Sequence, residues 1–264
     1  MYKTIWCIII DEFTLISIIL LLLVFFTSLI AQTIGFGGAI MLISMASFIM
    51  DLQDIIVLSG FWGILYDVFK GYNYKDYIDW GYVKRVVLGG IPGAIFGALL
   101  IEILPITILQ ILFGLFLFLY SAFKLVDLYR LEKESEPINE DFSKGYLTFG
   151  GFTFGFFGGL LGASGPINVI LLERTNHYRE SFIANFALSA LPLTIMRVTV
   201  YVSSGLFPID YFFVFLCGFP LIFITAKIGP KLTNKIPILI FKRIITIFLL
   251  IISIRTIFVS ITSF

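Results

Sequence analysis

A glycine-rich interruption of an apolar segment occurs twice in the chain, and it restricts the fold more than any other feature. Residues 32–40 read QTIGFGGAI and residues 159–167 read GLLGASGPI. Gly35–Gly38 and Gly162–Gly165 share the pattern Gly-x-(Gly/Ser)-Gly, with an offset of 127 residues. Backbone groups freed by such a break cost several kcal/mol in hydrocarbon unless protein or a polar cavity surrounds them. Paired breaks in two halves therefore predict a transporter binding site.

The composition places these breaks in a membrane protein. The chain is 59% hydrophobic and 13% charged, whereas a soluble domain has about 25% charged residues. A net charge of +1 without a basic block gives no reason to expect a nucleic acid partner. One histidine and two cysteines, both cysteines in or beside apolar segments, predict neither a metal cluster nor a disulfide framework. We expect no cofactor.

Apolar segments recur in the same order on either side of one polar stretch. In the first half, residues 1–127, the limbs are 13–31 and 39–50, and the spans are 55–69, 86–103 and 106–127. In the second half, residues 145–264, the limbs are 145–158 and 166–172, and the spans are 182–204, 211–226 and 238–262. Residues 128–144, LYRLEKESEPINEDFSK, are the predicted cytoplasmic linker. A tandem structural repeat is therefore expected.

The basic residues indicate how the halves cross the membrane. They concentrate in residues 70–85, 124–144, 173–181 and 227–243, and such clusters mark cytoplasmic loops. Eight simple spans would obey this rule in one half and violate it in the other. If each broken segment enters and leaves on one side as a re-entrant hairpin before three spans, the second repeat is inverted. We therefore predict an all-α polytopic protein of the cell membrane, with inverted repeats and both termini extracytoplasmic.

The N-terminus is expected to remain on the protein. Asp11 and Glu12 precede the first long apolar segment, whereas a cleaved signal peptide begins with a basic region.

The order of several motifs resembles the sulfite exporter TauE/SafE family over nearly the whole chain. The resemblance rests on the two breaks, on the Ile78-Asp79-Trp80 loop, and on Leu104-Pro105 followed by Phe113-Gly114. The family has a G-x-G-G-G-like break in each half, whereas here Ala39 follows the first break and Ser164 replaces a glycine in the second. The resemblance implies transport of sulfite, organosulfonates or related sulfur-containing anions, and it does not fix the substrate.

The candidate substrate-binding residues group around the two breaks. Helices that begin at Ala39 and Pro166 would direct positive dipole ends and free amides at an anion. Neighbouring hydroxyl and amide side chains would add donors. The alternative is that the glycines only permit close helix packing. The residues assigned to the site are Gln32, Thr33, Gly35, Gly37, Gly38, Gly162, Ser164, Gly165 and Asn168, with Asn185 and Ser189 from the following span.

Arg197 completes the predicted site as a lone charge within LPLTIMRVTVYV. Intramembrane charges are costly and indicate function, and a guanidinium holds sulfonate-like oxygens with forked donors. The alternative is that Arg197 snorkels to the outer interface or pairs with Asp67 or Asp210. Asp67 is expected to be an interfacial charge, with proton carriage for coupled transport as the alternative. His177, in a short charged loop, is expected to lie on a solvated surface.

These features predict a secondary transporter that moves a small anion by alternating access between the two breaks. A passive anion channel is the alternative within transport. An intramembrane enzyme would need a nucleophile and base or a metal set at membrane depth, and the sequence offers none. Without a G-x-x-x-x-G-K-[ST] motif, ATP hydrolysis is not expected. The expected partners are the anion, the lipid bilayer and a coupling proton, and a homodimer is left open.

Overall fold

The computed structural model describes residues 12–131, 144–177, 179–233, 246–247 and 249–258. Every regular element in these ranges is helical, which confirms the all-α prediction for them. The helices are α1 (Glu12–Ile34), α2 (Gly38–Ala46), α3 (Leu52–Asn73), α4 (Trp80–Ile103), α5 (Ile106–Leu131), α6 (Lys144–Leu161), α7 (Gly165–Arg174), α8 (Arg179–Ser203), α9 (Phe212–Leu232) and α10 (Leu249–Phe258). Residues 132–143 of the predicted linker, the first eleven residues and parts of the last predicted span lie outside the described residues.

Six helices are long and apolar enough to cross a membrane, namely α1, α3, α4, α5, α8 and α9. α1, with 23 residues, is about 34 Å long at 1.5 Å per residue. This exceeds the hydrocarbon core of about 30 Å. The chain is therefore a multi-pass membrane protein.

Helix α3 extends further than the sequence prediction allowed. It continues to Asn73, so the polar loop predicted at 70–85 shrinks to residues 74–79. The prediction ended the span at its first basic residue, but Lys70 pairs with Asp67 one turn earlier, and such a pair is compatible with a helix. Asp79 then caps α4, because its Oδ1 accepts two first-turn amides at 2.7 and 3.2 Å. The second limb, by contrast, ends at Ala46 rather than at residue 50.

Helices from the two halves interlock. α4 lies along α6, and α1 lies along α9. Glycines recur every fourth residue on the facing sides of α4 and α6: a Cβ on Gly93 would overlap the carbonyl of Phe152, and a Cβ on Gly155 would overlap the carbonyl of Gly90. Such close backbone approach is how small residues hold helices together in lipid. The two halves therefore share one core.

The contacts of α3 with α8 show that these helices are antiparallel. Each is the first long helix after a break, and they correspond at the same offset of 127 residues. Later residues of α3 meet earlier residues of α8, in the pairs Gly60 and Val198, Gly63 and Thr194, and Gly71 and Leu188. Corresponding helices of the two halves thus run in opposite directions.

Helices α1 and α3 run in the same direction, because each is parallel to α9. Along α1, Ser28 meets Thr225 at 2.9 Å and Gln32 meets Gly229 four residues later. Along α3, Trp62 Nε1 donates to the carbonyl of Phe215, and Asn73 Nδ2 donates to that of Ala226. The chain between α1 and α3, which includes the first break and α2, therefore turns back on itself.

Candidate functional site

A cavity of about 80 Å³ lies where the two breaks meet. One water needs only about 10–15 Å³ of such space, so the cavity has room for a small ion. Much of its wall consists of corresponding residues from the two halves. The pairs offset by 127 residues include Gly37 with Ser164, Gly38 with Gly165, Gly63 with Ala190, Tyr66 with Leu193, Asp67 with Thr194, and Lys70 with Arg197.

The breaks bring two helix N-termini to this wall. Gly35, Gly37 and Gly162 have φ angles of 97°, 91° and 68°, a left-handed region that glycine adopts without steric cost. α2 then begins at Gly38 and α7 at Gly165, each one residue earlier than predicted. Positive dipole ends and first-turn amides favour an anion at such positions.

Arg197 lines the cavity with only 6% of its surface exposed. Its Nη1 donates to the carbonyl of Gly158 at 2.7 Å, while its Nε is buried and has no partner among the described residues. Glycine on α3 makes room for the guanidinium, because a Cβ on Gly63 would lie 3.6 Å from its Nη2. Arg197 therefore does not snorkel to the outer interface, and that alternative is wrong.

Lys70 is the functional residue that the sequence analysis missed. It is 2% exposed, and its Nζ lies 2.9 Å from Asp67 Oδ1 and 3.0 Å from the carbonyl of Gly35. The helix prediction had placed it in a loop. Its position exactly one repeat offset before Arg197 was the signal that would have identified it.

Asp67 is buried rather than interfacial. Only 5% of its surface is exposed, and it lines the same cavity as its partner Lys70. The expectation of an interfacial charge was wrong because α3 continues to Asn73 and is covered by α8 and α9 at this level. The cavity therefore holds two cations and one carboxylate.

Each cation is held at the end of a broken limb. Lys70 binds the carbonyl of Gly35, directly after α1, and Arg197 binds the carbonyl of Gly158 in the last turn of α6. A positive charge stabilises the C-terminal end of a helix. Both cations thus support the breaks and also present positive charge to the cavity, an arrangement that can bind an anion by charge-assisted hydrogen bonds.

Three predicted site residues lie behind the cavity wall. Asn168 Nδ2 donates to Ser189 Oγ at 2.9 Å, and Asn168 Oδ1 accepts from Tyr82 at 2.6 Å. Asn185 Oδ1 accepts from the amide of Asp79 at 2.7 Å. These bonds tie α7, α8 and the start of α4 together, so they position the second break without lining the cavity.

The predicted site residues at the end of α1 also face away from the cavity lining. Gln32 Nε2 donates to the carbonyl of Tyr66 at 3.4 Å, and Thr33 Oγ1 donates to that of Leu29 at 2.7 Å. Gly35 contributes its carbonyl to Lys70. The predicted site residues in the lining are Gly37, Gly38, Gly162, Ser164, Gly165 and Arg197.

His177 is buried between helices instead of lying on a solvated surface. Its Nδ1 is 2.9 Å from Thr175 Oγ1, and its Nε2 is 3.4 Å from Asp79 Oδ2. Burial lowers the pKa of His177 from its ordinary value, and the nearby Asp79 opposes this effect. Among the described residues, no group of His, Cys, Asp and Glu side chains has the arrangement of a metal site.

Comparison with known proteins gives one match. The family model described as sulfite exporter TauE/SafE matches residues 20–256, a range that contains both breaks and every residue of the cavity lining. No match was found among curated proteins or among solved structures.

Proposed function

The chain belongs to the sulfite exporter TauE/SafE family, and from that premise we propose that it is a secondary transporter of a small sulfur-containing anion. Membership supports membrane transport rather than enzymatic chemistry. The observation that carries the proposal is the pair of buried cations, Lys70 and Arg197, at corresponding positions of the two halves in one cavity. In the apolar interior of a membrane protein, such cations favour an anionic ligand.

The proposed binding mode uses three kinds of donor. The guanidinium of Arg197 engages substrate oxygens through its forked N–H groups. The first-turn amides of α2 and α7 and the hydroxyl of Ser164 complete the shell. Sulfite and organosulfonates present their oxygens as a compact anionic group, which suits convergent donors in a cavity of about 80 Å³.

The proposed mechanism is alternating access by two inverted repeats, residues 1–127 and 145–264. The antiparallel course of α3 and α8 supports inversion, because corresponding helices would otherwise point the same way. The parallel course of α1 and α3 supports a hairpin that enters and leaves on one side. A binding site between inverted repeats with broken helices is a recurrent transporter architecture.

Flux in proteoliposomes tests the proposal. We expect saturable sulfite flux and counterflow by sulfur anions such as sulfate, thiosulfate, sulfoacetate or taurine, with formate as a control without sulfur. Flux that does not saturate and shows no counterflow would support a passive channel instead. Folded protein that moves none of these anions would overturn the proposed function.

A further inference from the structure

The charges that face the cavity do not balance. Lys70 and Arg197 are positive and Asp67 is negative, so the cavity has a net charge of +1 when the carboxylate is ionised. Buried charge is costly unless a partner compensates it. A monovalent anion would bring the total to zero. A divalent anion would leave one uncompensated negative charge unless Asp67 takes up a proton.

We propose that Asp67 sets the substrate charge that this cavity accepts: a monovalent sulfonate binds alone, and a divalent sulfur oxyanion binds together with one proton on Asp67. The inference rests on the proposed function and names the substrate class and the coupling ion for the same site. The proton comes from solvent and forms an O–H bond on the carboxylate. No other bond forms or breaks, and nothing is oxidised or reduced.

The geometry makes Asp67 and the substrate competitors for one cation. Lys70 Nζ lies 2.9 Å from Asp67 Oδ1 and 3.0 Å from the carbonyl of Gly35, so the carboxylate occupies a donor that an anion needs. Protonation of Asp67 removes the charge that holds Lys70 in this pair. Lys70 then keeps its backbone partner and has its charge available to the ligand.

The groups around Asp67 leave it as the one cavity residue of the described chain that can change charge near neutral pH. Arg197 interacts with it electrostatically from α8, and Tyr66, a neutral phenol, neighbours it on α3. α1, α2, α6 and α7 contribute only alanine, glycine, isoleucine, phenylalanine and Ser164 to the lining, together with residues of the two breaks. α5 and α9, which also lie against α3, bring no charged group to Asp67 among the described residues.

The two halves differ at this position, which fixes the number of protons. The counterpart of Asp67, one repeat offset later, is Thr194, and it lines the cavity as a neutral residue. Lys70 and Arg197 therefore provide the paired cations, and the carboxylate occurs once. The expected stoichiometry is one proton for each divalent anion.

Two probes with similar oxygens and different charges test the inference. Sulfate is divalent and methanesulfonate monovalent throughout the range from about pH 5.5 to about pH 8, so neither probe titrates while a carboxylate with a raised pKa can. With the full chain in detergent, we expect sulfate affinity to weaken as pH rises, by up to about tenfold per pH unit for one linked proton. Methanesulfonate affinity should stay nearly constant. In weak buffer, sulfate binding should take up about one proton, and methanesulfonate binding none.

Asp67→Asn gives the matched test, with Asp76→Asn as the control because Asp76 is exposed and outside the cavity. In Asp67→Asn, sulfate affinity should no longer depend on pH and proton uptake should disappear. The control should behave like the unmodified protein. If Asp67→Asn does not fold, proton uptake by the unmodified protein with the two probes decides the question.

The possible failures are distinguishable. Equal pH slopes for the two probes, or a slope that persists in Asp67→Asn, would overturn the role of Asp67 and leave the anion transporter standing. If the folded protein binds neither probe and transports no sulfur anion, both the inference and the proposed function are overturned.

Discussion

Arg197 and Lys70 each combine a structural bond with a free share of positive charge. One donor of each side chain satisfies a backbone carbonyl at the end of a broken limb. The remaining charge of Lys70 is directed at Asp67, whereas the Nε of Arg197 has no partner among the described residues. Arg197 is therefore the cation better prepared to receive a ligand.

Replacing Arg197 by Gln should weaken anion binding by about tenfold to a hundredfold, because a hydrogen bond to a charged group contributes about 1.5–3 kcal/mol. The measurement is the dissociation constant for sulfite in detergent, beside the saturation constant of flux. Arg85→Gln is the control, since Arg85 lies at the start of α4 and outside the cavity. An unchanged affinity in folded Arg197→Gln would remove this residue from the site.

His177 should make stability depend on pH. Its pKa in the folded protein is lowered, so the unfolded chain binds a proton that the folded chain resists. The free energy of unfolding should therefore fall as pH drops below about 6.5, the ordinary value for histidine, and level off below the folded pKa. Thermal unfolding across this range should show a smaller decline in His177→Gln. An identical decline in both proteins would contradict the assignment.

The seam between α4 and α6 depends on glycine to an unusual degree, because backbone meets backbone on both sides. A methyl group on Gly93 or Gly155 has no flexible side chain to displace and would meet a carbonyl oxygen. This differs from positions where a long side chain can move aside. The seam is therefore the least adaptable contact between the halves.

Gly93→Ala and Gly155→Ala should each lower stability by about 1–3 kcal/mol, the usual cost of overpacking. Leu99→Ala on the same helix α4 is the control, because Leu99 is exposed on the outside of the bundle. The measurement is the midpoint of thermal unfolding in detergent. Glycine variants that unfold at the same temperature as Leu99→Ala would show that the helices separate at little cost.

The sequence located the breaks because glycine has few substitutes at positive φ, and Gly35, Gly37 and Gly162 adopt such angles. It missed Lys70 because the local pattern ended the helix at the first charge. It could not tell that Asn168, Asn185 and Ser189 bond to one another's neighbours, because the direction of a side chain depends on the phase of its helix. Tertiary contacts, not composition, decide which polar residues line a cavity.

The whole molecule has one topological prediction that its helix directions support and that remains to be tested. If the broken segments are re-entrant hairpins, three spans follow each hairpin, and both termini lie outside the cell. Epitope tags at the two ends should then be accessible in intact cells, and a tag inserted in the linker at 132–143 should be accessible only after permeabilisation. Either terminus on the cytoplasmic side would refute the re-entrant arrangement.

The interlocked halves also determine how the protein is made. Ribosomes extend a chain by about 5–20 residues per second, so α4 is complete for several seconds before the last glycine of α6 is synthesised. During that interval, the glycine face of α4 has no partner backbone and is covered only by lipid or by the insertion machinery. The first half therefore enters the membrane as an unfinished intermediate, and a ribosome that stalls within the linker would leave a fragment suited for removal by membrane proteases.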